Sequence, residues 1–399
     1  MRDFFTFDPK LLIYGFAIAF FASYGQTFFI SIHSTEIRTF YNLTDGQFGL
    51  IFSLGTLLSS LLLVGFAKLI DHIDLRLYSF IISLGLSFAC LGLYISYNSK
   101  IFLFFIIFTL RFFGQGAMSH AGNTTMARYF GDNRGKALSV CTFGGIIGMM
   151  IFPIIVVNLT NFIGWRYAWL ISSFSILIFF TPILFLSLQD QELRHSNFTN
   201  NTKKNLNNKK WRTRDILINK KFYIYLPISI ASSFIFTGLT FHQIFIINQK
   251  GWSPEMLANG FLFLGIFSIT GLVLGGPTVD KYNTKKVVLF SLMPLFLAIL
   301  ILIIFNNYFS LFIYMSLLGV SFGIGNSFIG SLWAELYGLE SLGTVKALLH
   351  ACTVFASALS PVIFGYMIDF GLGIISLSIL SLLIIFISTL LPIIYKNIE

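Results

Sequence analysis

The chain has 399 residues, 56% hydrophobic and only 11% charged, and its 26 Lys and Arg against 16 Asp and Glu leave a net charge of +10. A soluble domain carries about 25% charge, so a water-facing surface of this size would be starved of charge, whereas the 48 phenylalanines suit a surface in contact with lipid. The basic excess is concentrated in one loop and is not spread as a phosphate-binding stripe, which argues against a nucleic-acid partner.

Runs of about 20 mostly apolar residues have the length that crosses a bilayer. They predict six helices in the first half, over residues 11–32, 47–70, 77–97, 101–126, 136–160 and 167–188. Six more follow at 222–248, 256–279, 287–305, 308–333, 344–368 and 371–394. Pro153, Pro182, Pro227, Pro294 and Pro361 fall inside these runs, where neighbouring helices in a bundle tolerate the lost backbone bonds. The runs are continuous, not alternating, so a β-barrel is excluded. The first run lacks a small-residue cleavage site and reads as a retained helix, not a signal peptide. Cys90, Cys141 and Cys352 lie in apolar stretches without metal-ligand spacing and read as small buried hydrophobes. The expected fold is an all-α polytopic membrane protein of twelve transmembrane helices arranged as two pseudo-symmetric six-helix bundles, residues 1–188 and 222–399, joined by a basic linker, 189–221.

Twelve spans place both termini on one side. Twenty-one Lys and Arg fall on that side, four (Arg38, Lys100, Arg166 and Lys250) on the other, and Arg111 inside a span. Positive residues accumulate on the cytoplasmic side, so both termini and the linker are expected in the cytoplasm and the protein in a plasma (bacterial inner) membrane. The linker is rich in Asn and Lys, a solvated connector by composition. Its Lys203, Lys204, Lys209, Lys210, Arg212 and Arg214 could alternatively meet anionic headgroups. Glycosylation sequons at Asn42, Asn123, Asn158, Asn197 and Asn200 carry little information, since several fall in spans or cytoplasmic loops.

A shift of 209 residues lays the second half on the first. His33 meets His242, Phe52 meets Phe261, Asp71 meets Asp280, Arg76 meets Lys285, and Gly114 and Gly116 meet Gly323 and Gly325. One residue of adjustment brings Gly135 onto Gly343 and Pro153 onto Pro361. The matches keep their place in the order of spans, which makes duplication the better account. Two like halves rocking about a shared site are the architecture of many secondary transporters.

The loop after the second span carries Ala67, Asp71, Asp74 and Arg76, and its counterpart carries Gly276, Asp280, Asn283, Lys285 and Lys286. These residues resemble the signature loops of the major facilitator superfamily, in which a Gly is followed four residues later by an Asp and then by a turn glycine and basic residues. The second copy is the better match, since Ala67 and Asp74 replace glycines in the first. The resemblance covers essentially the whole chain and implies the superfamily's fold. Arg111, Gly114, Gln115 and Gly116 in the fourth span, followed by Arg128, Arg134 and Lys136, are similar to its fourth-helix Arg motif and the basic loop after it. Gly144, Gly145 and Gly148 with Pro153 resemble its glycine-rich fifth helix, read here as close packing, not as a drug-efflux signature. Gly164, Trp165 and Arg166 are also common in the family and read as an anchor at the outer interface.

Arg111 lies about ten residues inside its helix, near mid-membrane at 1.5 Å per residue, where an Arg costs roughly 2.5–3.5 kcal/mol on insertion scales and should face a cavity or a partner. Gln115, one α-helical turn on, would share its face. Arg111 is read either as an anion anchor or as a structural Arg bonded to carbonyls. His33 and His242 stand at equivalent places on the helices that line the pathway in the superfamily, and each is either a proton carrier or a neutral bundle histidine. Asn326, with Arg111, Gln115, His33 and His242, completes the candidate substrate set. Asp71, Arg76, Arg128, Arg134, Asp280, Lys285 and Lys346 are the candidate gating set, because an acid at a helix end can pair with basic groups as one side closes. His120, Glu335 and His350 are the other polar groups in or near spans, and Lys346 shares a face with His350 or snorkels.

The expectation is a secondary active transporter of a small organic solute working by alternating access. A positive mid-membrane region points to a small organic anion moved with protons or by exchange, as symporter or antiporter. The motif order around residues 128–137 somewhat resembles the monocarboxylate and oxalate–formate branch. One alternative is an exporter of drugs or other amphipathic compounds, which an acid inside the first span would favour. Another is a non-transporting membrane sensor, which would need a signalling domain. An enzyme is not expected, as there is no helical HExxH, phosphate loop or partnered serine nucleophile. Neither cofactor nor metal is expected. The partners are a small-molecule substrate, the bilayer and protons, and the carrier is expected to be a monomer.

Overall fold

The computed structural model describes residues 2–192, 194–195, 211–282, 284–338 and 341–396. Among them are twelve helices long and apolar enough to cross a membrane. The first six are α1 (Pro9–Ile32), α2 (Asp45–Asp71), α3 (Leu75–Ile95), α4 (Lys100–Tyr129), α5 (Arg134–Ile163) and α6 (Trp165–Ser187). The second six are α7 (Lys220–Phe241), α8 (Pro254–Val279), α9 (Thr284–Ile304), α10 (Tyr308–Tyr337), α11 (Gly343–Asp369) and α12 (Ile374–Tyr395). The chain divides into two compact units. Met1–Asn42 and Leu54–Leu206 form the first, and Leu43–Ser53 with Asn207–Glu399 form the second. The boundary therefore falls inside α2, whose first residues belong to the second unit.

Helix starts follow from local chemistry. Asp8 accepts the Leu11 amide at 3.0 Å with Pro9 in the first turn, Ser253 caps α8 ahead of Pro254, and Asn307 accepts Ser310 N at 2.9 Å at the head of α10. In the first unit, hydroxyls bond between apolar helices. Tyr14 on α1 meets Ser79 on α3 at 2.7 Å, Tyr24 on α1 meets Ser175 on α6 at 2.7 Å, and Ser87 on α3 meets Ser173 on α6 at 2.8 Å. Such bonds and small residues hold bundles in lipid, where burying apolar surface gives no advantage over lipid contact. Asp190, Glu192 and Arg194 fall in the stretch that composition assigns to the linker, yet they are tied to the first unit. Arg194 forks onto Asp8 at 2.6 and 2.9 Å, Arg76 donates to Glu192 at 2.8 Å, and Lys10 donates to Asp190 at 3.0 Å, holding that carboxyl below its ordinary range. The linker's Lys203, Lys204, Lys209 and Lys210 and the sequons at Asn197 and Asn200 lie outside the described residues.

Four helices of the first unit depart from α-geometry: α2 ends in a 3₁₀ turn at Ala67–Asp71, α6 is π-helical over Ile176–Phe180, and α1 and α4 also break register. Helix α1 passes through a 3₁₀ turn at Ala22–Gly25 and an extended Gln26 before resuming at Thr27. Helix α4 is π-helical over Arg111–Met118. In the second unit, α10 lies close on α8 through glycines. A Cβ at Gly323 would fall 2.6 Å from Leu272 N, and one at Gly271 would fall 2.7 Å from Val320 O. The indole of Trp333 on α10 donates to Ser229 on α7 at 3.1 Å.

The duplication read from the sequence is visible in backbone angles. His33 has φ −97° and ψ 21°, and His242 has φ −95° and ψ 22°. Each interrupts its helix and is followed by an eight-residue helix, Ser34–Tyr41 or Gln243–Lys250, which ends in a left-handed residue, Asn42 or Gly251. The duplicated glycines have diverged: Gly114 of α4 abuts Gly25 of α1, while Gly323 of α10 abuts α8.

Candidate substrate and gating site

Arg111 is 1% exposed and stands where α4 leaves α-geometry. Its Nε donates to Thr56 Oγ1 of α2 at 3.1 Å, and a terminal nitrogen donates to the Gly25 carbonyl of α1 at 2.9 Å. Gly25 sits directly before the extended Gln26, so the guanidinium reaches a carbonyl at the point where α1 breaks. The approach requires glycine on both sides, since a Cβ on Gly25 would fall 2.6 Å from Gly114 Cα. Gln115 is half-buried on the same segment. In a π-helix the backbone bond runs from i to i+5, so the one-turn relation expected from an α-helix does not hold between Arg111 and Gln115. Thr56 and Gly25, two of the residues that Arg111 contacts, carried no motif of their own; a polar Thr inside an apolar run was the available signal.

The two histidines are both buried. His33 Nε2 lies 2.8 Å from Thr160 Oγ1 on α5, with its ring against Trp165 and Trp169 of α6. His242 Nε2 lies 3.0 Å from the Pro361 carbonyl on α11, which can only accept, so Nε2 carries a proton there. Its Nδ1 then lies 3.7 Å from Asp45 Oδ1, an ion pair whenever that second nitrogen is also protonated. Asp45 was not singled out in the sequence because it stands at the very start of a span, where a charge is ordinary. Glu36, on the short helix after His33, was also passed over; burial raises its carboxyl above its ordinary range.

Of the gating candidates of the first unit, Asp71 and Arg128 pair with each other, while Arg76 pairs with Asp74 and Glu192. Asp71 closes α2 and receives a hydrogen bond from Arg128 in the last turn of α4. Asp74 caps α3 by accepting Arg76 N at 2.7 Å and Arg76 Nε at 3.0 Å. Its partial burial acts to raise its pKa, and the Arg76 bonds outweigh this and leave it lowered. Arg134, the first residue of α5, is exposed. In the second unit Lys285 and Lys346 lie near the starts of α9 and α11, Lys346 exposed. The side chains of Asp280 and Asn326 lie outside the described residues. Among the described residues no three His, Cys, Asp or Glu gather as a metal site.

Twelve spanning helices, a duplicated half and buried polar groups at helix breaks define a polytopic carrier fold. The chain belongs to the Major Facilitator Superfamily, a family of transporters and not of enzymes, whose model matches residues 15–275 and 244–398. A curated relative, MFS transporter fsa7 of Fusarium sp. (strain FN080326), is 27% identical over an aligned length of 267 residues, and the match covers 61% of this chain. The matched region spans about half of that relative, 51% of its length. Solved structures of the same fold include a bacterial homologue of the human lysosomal transporter Spinster in an inward-facing, occupied conformation. It has a TM-score of 0.71 and 14% identity, and the match covers 97% of this chain and 96% of that one. A mutant of the nucleoside transporter NupG gives a TM-score of 0.72 and 13% identity, covering 97% and 99%. At these identities the likeness is one of fold.

Proposed function

We propose that the protein is a secondary active transporter of a small organic anion, working by alternating access with protons or by exchange, and oriented with both termini in the cytoplasm. The observation that carries the reading is Arg111, a guanidinium almost wholly buried at about mid-membrane depth on a helix that turns π-helical there. Such a charge is expensive in lipid and is characteristic of substrate and ion pathways, and π-segments recur at functional sites. Two of its bonds go to neutral acceptors, Thr56 and the Gly25 carbonyl, and a guanidinium in a low-dielectric interior attracts anions. Gln115, His33, His242 and Asn326 complete the proposed substrate set. His33 and His242 supply titratable groups at matching positions, His242 beside Asp45. Asp71 with Arg128, and Arg76, Arg134, Asp280, Lys285 and Lys346, form the proposed gating set on the side of the termini.

The test is a thermal-shift screen of the purified carrier against small mono- and dicarboxylates, sugars, amino acids, nucleosides and amphipathic drugs. A ligand at about 100 times its Kd stabilises the folded protein by about 2.7 kcal/mol. Stabilisation by carboxylates alone is expected. Stabilisation by amphipaths or neutral solutes with none from acids would overturn the anion reading and favour an exporter.

A further inference from the structure

The first turn of α2 is completed by a residue 324 positions away. A helix N-terminus leaves four amide groups without intrahelical partners, and here their partners divide in two. Thr44 and Gln47 form a reciprocal capping box, Thr44 Oγ1 accepting Gln47 N at 3.2 Å and Gln47 Oε1 accepting Thr44 N at 3.4 Å. The next two donors, Asp45 N and Gly46 N, both bond the carboxylate of Asp369 at 3.0 Å, which also accepts the Thr44 hydroxyl at 2.6 Å. Asp369 is the last residue of α11. Residues below this cap are built for close approach: a Cβ on Gly46 would fall 2.6 Å from the Tyr366 ring, and one on Gly365 would fall 2.7 Å from Asp45 O. Gly49 abuts the Pro361 carbonyl, Ser53 donates to the Ala358 carbonyl, and Phe48 and Phe52 lie against Phe241 at 5.1 and 4.6 Å. Every one of these contacts lies within the second unit, to which Leu43–Ser53 belongs, while the rest of α2 from Leu54 belongs to the first.

We propose that Asp369 is a positioning residue of the transport cycle: its carboxyl group is the catch that holds the start of α2 docked on α11 and α7, and release of this cap frees that segment during cycling. The chemistry suits a catch. Three hydrogen bonds converge on one exposed carboxylate, and charge-assisted bonds of this kind are the stronger ones, set at the end of a seam that joins close glycine contacts to the packing of Phe48 and Phe52 on Phe241. An interior apolar seam alone would hold the segment without a switchable end. The inference needs only that the chain cycles and is independent of whether the substrate is an anion, so either reading can fail without the other.

The experiment uses full-length protein in liposomes with Cys352→Ser and Ser53→Cys, the new thiol lying in the seam, and measures its labelling by a water-soluble maleimide. In the parent Ser53→Cys is expected to react slowly. Asp369→Ala should raise its rate about fivefold or more, the scale of a lost helix cap, with Asp369→Asn and Thr44→Ala in between. Cys90 and Cys141, buried in the first unit, serve as internal controls and should stay unreactive. An unchanged Ser53→Cys rate in Asp369→Ala would overturn the proposal, as would equal gains at Cys90 and Cys141, which would mark general loosening. If Asp369→Ala does not fold, the Asn and Thr44 variants decide by the same criterion.

Discussion

Arg111 lies on α4 and bonds α2 through Thr56 and α1 through the Gly25 carbonyl, so one side chain joins three helices of the first unit. Its planar fork sends separate N–H groups to separate acceptors, a geometry that the single ammonium of Lys cannot reproduce. This gives the anion-anchor and structural roles different signatures. If Arg111 also grips substrate, Arg111→Lys should weaken ligand affinity about tenfold or more, a loss of about 1.5–3 kcal/mol, in protein that still folds. If it serves only to close the break in α1, the variant should melt lower while the surviving protein binds its ligand as tightly as the parent. Melting temperature and ligand affinity on one purified sample separate the two, and the second pattern would remove the main support for an anionic substrate.

At the scale of elements, the first unit depends on a crossing that tolerates no side chains. Gly25 at the break of α1 and Gly114 in the π-segment of α4 face each other, and a Cβ on either would fall 2.6 Å from the other's Cα. Each is backbone against backbone, so nothing can swing aside, and overpacking of this kind costs about 1–3 kcal/mol or more. Gly25→Ala or Gly114→Ala should therefore lower the melting temperature markedly, whereas Gly276→Ala, with open space around it, should be close to neutral; equal melting temperatures for all three would contradict the packing. The helices themselves were legible in the sequence, because a bilayer demands about 20 apolar residues per span and the chain supplies them twelve times. The pairing of His33 with His242 was legible too, since a copied segment keeps its order. The π-segment was not: nothing in Arg111, Gly114 or Gln115 distinguishes a register of i+5 from one of i+4 until α1 is packed against them. Asp369 was equally hidden, because its partners Thr44, Asp45 and Gly46 are more than 320 residues away and no local spacing links them.

At the scale of the whole molecule, the strongest remaining signal is the asymmetry of charge across the bilayer. Twenty-one basic residues are expected on the side of the termini and four on the other, and translocation of a loop is disfavoured by each Lys or Arg near a span end. The structure supplies two sites that read this directly. His72, exposed between α2 and α3, belongs to the side of the termini, and Tyr97, exposed between α3 and α4, belongs to the opposite side. One helix separates them, so they must report opposite faces whatever the conformation of the carrier. In a chain carrying Cys352→Ser, the single variants His72→Cys and Tyr97→Cys should behave differently toward a membrane-impermeant maleimide. Tyr97→Cys should label in intact cells, and His72→Cys only after the membrane is permeabilised. The opposite order would invert the orientation, placing the Asp71–Arg128 pair and the basic linker outside the cell. Labelling of both in intact cells would break α3 as a spanning helix and with it the twelve-span count.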